Sequence, residues 1–248
     1  MVGELRPPSD KSITHRAYLL GAAAEGATTV RNPLRGEDCE ATLRCMEALG
    51  VGVQSVDPTT VRIDPAPWTQ PIERLDCGNS GTTMRLLSGL VASRPLTATL
   101  VGDASLSRRP MRRIAEPLRR MGARVEGETP PLHIEGGALT GIEHTSDVAS
   151  AQVKSCVLLA GLRASGRTTV SEPSPSRDHT ERLLRSMGAT VREAMDGDRH
   201  GVSVDGGTVL SGGEIDVPAD ISSAAFFLVA AALLPESRVT LQGVGVNP

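Results

Sequence analysis

Four stretches of the chain open on a small cluster of hydroxyl, amide and charged side chains and then turn apolar. The polar residues are Lys11 and Ser12; Asn79, Ser80 and Thr82; Ser150 and Gln152; and Asp220, Ser222 and Ser223. A Ser, Asn or Asp at such a point accepts a hydrogen bond from a free N–H of the first helical turn. That turn also carries the positive end of the helix dipole and unpaired backbone donors. Several helix starts aimed at one place therefore bind an anion without a basic composition. The chemistry they point to is capture of a phosphorylated, carboxylated ligand. Taken singly, each residue reads as an ordinary N-cap; the recurrence favours a shared site. The run 107-SRRPMRR adds four arginines. Arg109 precedes Pro110, and Pro suits the first position of a helix. That reading puts Arg109 at the ligand end of the helix, where a guanidinium can grip an anion with two donors. Arg112 and Arg113 read as surface residues. The segment GNSGTT has no GK[ST] and is not a P-loop.

The elements that must position these residues repeat. Buried-helix patterns occupy 11-KSITHRAYLLGAAAEG, 78-GNSGTTMRLLSGLVAS, 150-SAQVKSCVLLAGLRASG and 220-DISSAAFFLVAAALLPES. A strand-like piece follows each, and Val30, Leu100, Val170 and Thr240 recur with a period of about 70 residues. An amphipathic helix then appears in the first three copies, at 37-EDCEATLRCMEALGVGV, 109-RPMRRIAEPLRRMGARV and 178-DHTERLLRSMGATV. Each stops at a glycine (Gly50, Gly122, Gly188), the residue that takes the left-handed turn past a helix most easily. Gly- and Pro-rich stretches near 54–75, 126–147 and 194–218 read as hairpins and linkers. The unit is strand–helix–strand–helix–strand–strand. The fourth copy has its first helix and strand and then reaches Asn247-Pro248, which aligns with Asn32-Pro33. The expectation is a truncated fourth unit.

Composition narrows the function. The 248 residues are 39% apolar and 22% charged, with a formal net charge of −3. That balance suits a globular protein and offers no basic field to nucleic acid or an acidic membrane. The aromatics are Tyr18, Trp68, Phe226 and Phe227, too few to stack bases or sugars. Cys39, Cys45, Cys77 and Cys156 form no CxxC pair and the histidines no HExxH, so no zinc site is expected. No secretory leader or membrane-spanning run is evident in the sequence, and the cysteine usage suits a reducing compartment. The expected location is the cytoplasm.

Several long motifs, in order, resemble 5-enolpyruvylshikimate-3-phosphate (EPSP) synthases. They are 9-SDKSITHRA, 36-GEDCEATLRCMEALGV, 75-LDCGNSGTTMRLLSGL, 105-SLSRRPM, 149-ASAQVKS, 176-SRDHTERLLRSMGA and 217-VPADISSAAFFLVAAALL. The resemblance implies an α/β fold, an inside-out α/β barrel domain of three βαβαββ repeats plus a partial second domain. It implies a continuous domain over 10–217 that binds shikimate 3-phosphate. Residues 1–9 and 218–248 would belong to the other, split domain. The family moves the enolpyruvyl group of phosphoenolpyruvate to the 5-hydroxyl of shikimate 3-phosphate and releases phosphate, in the shikimate pathway to chorismate and the aromatic amino acids. It uses no metal or organic cofactor.

Carried over residue by residue, Lys11 matches the lysine that touches both substrates. Ser12, Arg16, Ser150 and Gln152 match contacts to shikimate 3-phosphate, with Arg177 beside its phosphate and Ser171 a weaker match there. Asn79, Gly81, Thr82 and Arg109 match the phosphoenolpyruvate side, toward which Gln152 bridges. Gly81 lies where family members admit glyphosate. The opening 7-PPSDKS departs from the PGDKS or PGSKS of many members. The family's acid/base carboxylates have no counterpart here, so the chain alone is expected to bind without turnover. The full-length protein is expected to be a monomer. A UDP-N-acetylglucosamine enolpyruvyl transferase is the enzymatic alternative, but it would need an Asn where Ser12 stands and a loop cysteine, and none of the four cysteines reads as sitting in an obvious loop. A non-catalytic phospho-ligand module is the other alternative.

Overall fold

The computed structural model describes residues 1–247, so the expected stop at Pro248 lies outside the described residues. The strands are β1 (Val2–Leu5), β2 (Glu25–Arg31), β3 (Gly52–Asp57), β4 (Thr60–Asp64), β5 (Leu75–Asp76), β6 (Thr97–Val101), β7 (Arg124–Glu126), β8 (Leu132–Glu135), β9 (Glu143–Thr145), β10 (Arg167–Glu172), β11 (Val191–Asp196), β12 (Arg199–Asp205), β13 (Ser211–Asp216) and β14 (Arg238–Leu241). The helices are α1 (Lys11–Ala23), α2 (Glu37–Ala48), α3 (Gly81–Ala92), α4 (Arg112–Met121), α5 (Ala151–Gly161), α6 (His179–Ser186) and α7 (Ile221–Leu233).

Three four-stranded sheets share one topology, in the orders β13-β2-β4-β3, β5-β6-β8-β7 and β9-β10-β12-β11. In each the first two strands run parallel and the rest antiparallel. Val30, Leu100 and Val170 hold the same place in the three sheets. Each is fully buried, and across the ladder they face Val61, Leu132 and Val202. Thr240, their counterpart in the fourth unit, pairs instead with Glu4. The repeat seen as a period in the sequence is thus a repeat of inward-facing side chains.

The sheets lie outside and the helices α1, α3 and α5 inside, an inside-out α/β barrel. These helices are apolar nearly all round because every side meets protein. Tyr18, Leu19, Leu86, Leu87, Leu158 and Leu159 are at most 1% exposed, and each contributes about 1.5–3 kcal/mol by leaving water. Gly89 brings α3 against α5: a Cβ there would lie 2.2 Å from the Cys156 carbonyl oxygen. The outer helices end as the sequence suggests, with Gly50, Gly122 and Gly188 all at positive φ.

One feature departs from a simple chain of units. The first strand of the first unit is β13, which arrives after the third unit and pairs in parallel with β2. The strand that precedes α1, β1, pairs in parallel with β14. The two connecting segments cross side by side: Asp10 N–H donates to the Pro218 carbonyl and Asp220 N–H to the Pro8 carbonyl, both at 2.8 Å. Beyond that crossing, α7 packs mainly on β14 and buries only Ala224. Phe226, Val229 and Leu233 on it are exposed. No helix among the described residues is long and apolar enough to cross a membrane.

Candidate anion-binding site at the helix starts

At the start of α3, Ser80 is the N-cap and its Oγ accepts the Thr83 N–H. Gly81 follows as the first helical residue. A Cβ built there would lie 2.8 Å from Nη1 of Arg85 and 3.1 Å from Nη1 of Arg109. Two guanidinium groups therefore close on one glycine. Their partners are neutral: Arg85 donates to Gln152 Oε1 (2.7 Å) and the Pro110 carbonyl, and Arg109 to Asn79 Oδ1 (2.6 Å) and Ser105 Oγ. Burial and the neighbouring Arg109 pull the Arg85 guanidinium below the usual arginine range. Two cations crowded together without a carboxylate between them, at a helix N-terminus, have the chemistry to hold an anion. Asp103 organises it from behind. It accepts Asn79 Nδ2–H (2.6 Å) and the Leu106 N–H (2.7 Å), which hold its carboxyl below the usual range.

The start of α5 lies beside it. Gln152 Nε2 donates to Thr82 Oγ1 at 2.9 Å, so Gln152 joins the two helix starts while bonding Arg85. Ser150 caps α5. A small cleft of about 200 Å³ between them is lined by Arg85, Arg113, Ser150 and Gln152.

The start of α1 completes the floor. Asp10 caps it, accepting the Ile13 N–H at 2.8 Å. Lys11 reaches Asp38 at the start of α2, 2.9 Å away, and stays half exposed. Arg16 lies one turn deeper and is only 3% exposed. It donates to Thr180 Oγ1 (2.7 Å), Ser155 Oγ (2.9 Å) and the Ser12 carbonyl (2.9 Å), joining α1, α5 and α6. A buried chain of contacts runs His15 Nδ1–Thr42 Oγ1–Thr83 Oγ1–Ser80 Oγ, each 2.7 Å, and ties α1, α2 and α3 together beneath the surface. Burial pulls His15 down to about 3, against the pull of Asp38, and its Nε2 has no partner among the described residues.

The candidate residues thus meet at one end of the barrel. Lys11, Ser12, Asn79, Gly81, Thr82, Ser150 and Gln152 lie at joined helix starts, Arg16 sits one turn deeper, and Arg109 reaches them through Asn79 from the connection before α4. Arg177 is exposed in a neighbouring cleft of about 290 Å³, with Asp10, His179, Arg182 and Asp220. Asp220 caps α7 and accepts both the Ser222 N–H and the Ser223 hydroxyl. Ser171 stands apart. It alternates with the buried Val170 and Glu172 and lies on the outer face of its sheet, where Arg199 Nε donates to its Oγ at 3.0 Å.

Two sequence expectations need correction. Pro110 is not the first residue of a helix: α4 begins at Arg112 with Met111 as its N-cap. Arg109 instead ends a 3₁₀ turn over Leu106–Arg108 in extended conformation, the geometry that a following proline imposes. Arg113 is exposed, as expected of a surface residue, and also borders the small cleft. Cys77 does lie in a connection, between β5 and α3, yet is fully buried. Its thiol is pushed up by Cys45 and by burial. Arg85 was missed. Its signal was a lone charge inside the otherwise apolar TTMRLLSGL, where burial demands a partner or a ligand.

A larger cleft, about 590 Å³, lies at the opposite end, among the last turns of α1, α3 and α5. It is the poorer anion site. Helix C-termini present carbonyls there, and its arginines are engaged with them: Arg94 donates to the Leu90 carbonyl and stacks on Trp68, and Arg163 donates to the Ser93 carbonyl.

The profile of the family EPSP synthase (3-phosphoshikimate 1-carboxyvinyltransferase) matches residues 1–248. A 3-phosphoshikimate 1-carboxyvinyltransferase of Bacillus licheniformis is 51% identical over 99% of this chain and 58% of its own length. One from Methylococcus capsulatus is 53% identical over 100% and 57%. The solved structure of EPSP synthase from Acinetobacter baumannii superimposes with a TM-score of 0.91 at 47% identity, over 100% of this chain and 56% of that one. The chain thus spans a little over half the length of these relatives.

Proposed function

The chain belongs to the EPSP synthase family, and on that premise we propose that its floor of helix starts binds shikimate 3-phosphate and receives phosphoenolpyruvate as one half of an enolpyruvyl-transfer site. The observation that carries this reading is the pair Arg85 and Arg109 closing on Gly81 without a carboxylate partner. Phosphoenolpyruvate brings a phosphate and a carboxylate, and the pair supplies fixed cationic donors at a helix N-terminus. Shikimate 3-phosphate is assigned to the starts of α1 and α5, with Ser12, Ser150, Gln152 and Arg177 around it. Arg16 holds the backbone of Ser12 and the hydroxyl of Ser155 beneath it. Gln152 lies between the two ligands and Lys11 stands at the rim.

In the reaction proposed for the whole protein, the 5-hydroxyl of shikimate 3-phosphate adds to the enol carbon of phosphoenolpyruvate while the methylene carbon takes a proton. Loss of that proton then expels phosphate. The floor supplies orientation and charge neutralisation. Among the described residues, its nearest aspartates are engaged in structural bonds. Asp10 and Asp220 cap helices, Asp38 pairs with Lys11, Asp103 holds Asn79, and Asp178 pairs with Arg182. This chain by itself therefore binds and does not turn over. Residues 10–217 are assigned to one domain, and 1–9 with 218–248 to a second.

Calorimetric titration tests this directly. Shikimate 3-phosphate is expected to bind the 248-residue chain, and Arg109→Gln to weaken phosphoenolpyruvate without weakening shikimate 3-phosphate. Absence of heat and of a thermal shift with either ligand overturns the binding reading. Phosphate release by this chain overturns the half-site reading.

A further inference from the structure

Beneath the floor, Lys154, Glu172 and Glu181 are at most 1% exposed at their side chains. Lys154 Nζ lies 2.7 Å from Glu181 Oε1 and 3.2 Å from Glu172 Oε2. With Arg16 the buried cluster holds two cations and two anions. The barrel does not require it: the position four residues after the N-cap, Lys154 in α5, is Thr14 in α1 and Met84 in α3. Buried ions are costly and persist only where geometry is well satisfied.

Glu172 shows what the charges do. Its Oε1 accepts the backbone N–H of Ser150 at 2.7 Å, and its Oε2 accepts the Ser176 hydroxyl at 2.6 Å. In the other two buried helices the N-cap N–H goes to a backbone carbonyl, Asp10 to Pro218 and Ser80 to Cys77. Only at Ser150, among these three, does a charged side chain take that role. Lys154 Nζ also donates to the Ser176 carbonyl, in the loop that carries Arg177. Glu181 adjoins Thr180, whose hydroxyl receives Arg16 Nε.

We propose that Lys154, Glu172 and Ser176 form a buried lock that sets Ser150 and Arg177 in register as the seat for the phosphate of the sugar acid, with Glu172 as a positioning residue acting through Ser150. The inference rests on the binding reading above. A bond from the Ser150 N–H to an anchored carboxylate fixes the direction of the first turn of α5, and the shared Ser176 fixes the loop on the other side. The lock touches no ligand, so its loss alters the grip on phosphate and not on the ring.

The test is titration of the 248-residue chain with shikimate 3-phosphate and with shikimate, alongside thermal unfolding. Glu172→Ala is expected to bind shikimate 3-phosphate about tenfold or more weakly and shikimate within about twofold of the parent chain. Glu172→Gln keeps a carbonyl acceptor for Ser150 and is expected to recover most of the loss. Equal weakening of both ligands, or none, overturns the lock. Should Glu172→Ala fail to fold, Ser176→Ala decides: a loss of about two- to fivefold confined to shikimate 3-phosphate supports the lock, and an unchanged affinity overturns it. If the parent chain ignores shikimate 3-phosphate, the binding reading fails and the lock with it. A binding parent with unmoved variants defeats the lock alone.

Discussion

Lowering the pH should loosen the floor through His15. The ring is fully buried between α1, α2 and α3, and burial takes it from 6.5 to about 3. The fold therefore prefers the neutral ring. The stability this preference contributes is complete above 6.5, the unfolded value, and is lost as pH falls from there toward 3. At pH 5 an unfolded chain gains about 1.5 pH units of protonation free energy that the fold refuses, or about 2 kcal/mol. By pH 3 the full shift corresponds to about 5 kcal/mol, comparable to the whole stability of many domains. Other groups titrate too, so the measurement is a difference. Urea unfolding at pH 7.5 and 5.0 is compared between the parent chain and His15→Asn, whose amide can bond Thr42 but does not titrate. The cavity left by the smaller side chain costs the same at both pH values and cancels. The parent should lose about 2 kcal/mol more than the variant. Parallel losses, within about 0.5 kcal/mol, would refute the argument and place a water or another partner on His15 Nε2.

Two further outcomes are expected. Gly81→Ala puts a methyl group where two guanidinium ends now lie. Those ends can move, so stability should hold or rise slightly, as for an alanine at a helix start, by up to about 1 kcal/mol. Phosphoenolpyruvate should bind at least about tenfold more weakly in the presence of shikimate 3-phosphate; a destabilised variant with unaltered affinity would contradict the site. On α7, Phe226→Glu should lower the binding of an apolar dye relative to the parent chain, with stability changed by no more than about 0.5 kcal/mol. An undiminished dye signal would mean that Val229, Leu233 and their neighbours do not form a sticky face with it.

The repeat and most of the helix starts were legible because they depend on local chemistry. Asp10, Ser80, Ser150 and Asp220 cap the helices that the sequence marks with polar residues. Val30, Leu100 and Val170 carry a period that packing then uses. What periodicity cannot show is which strand sits beside which. Nothing near residue 211 says that its partner is Glu25. Arg85, Lys154 and Glu172 were overlooked for a related reason. A buried charge is explained only by a neighbour remote in sequence, here Gln152 for Arg85 and Ser150 for Glu172. The placement of Arg109 was read from a proline whose preference holds on average, and the 3₁₀ turn before it took precedence.

The exchange of first strands also orders events on the ribosome. The outer edge of β2 is finished at Arg31, but its parallel partner is complete only at Asp216, 216 − 31 = 185 residues later. At roughly 5–20 residues per second, that edge waits about 10–40 s during each round of translation. The second and third units can close their sheets as they emerge, whereas the first unit seals after both of them. A nascent chain stalled before codon 211 should therefore expose an open ladder, and chaperones that shield such edges have a longer opportunity at the first unit than at the second or third.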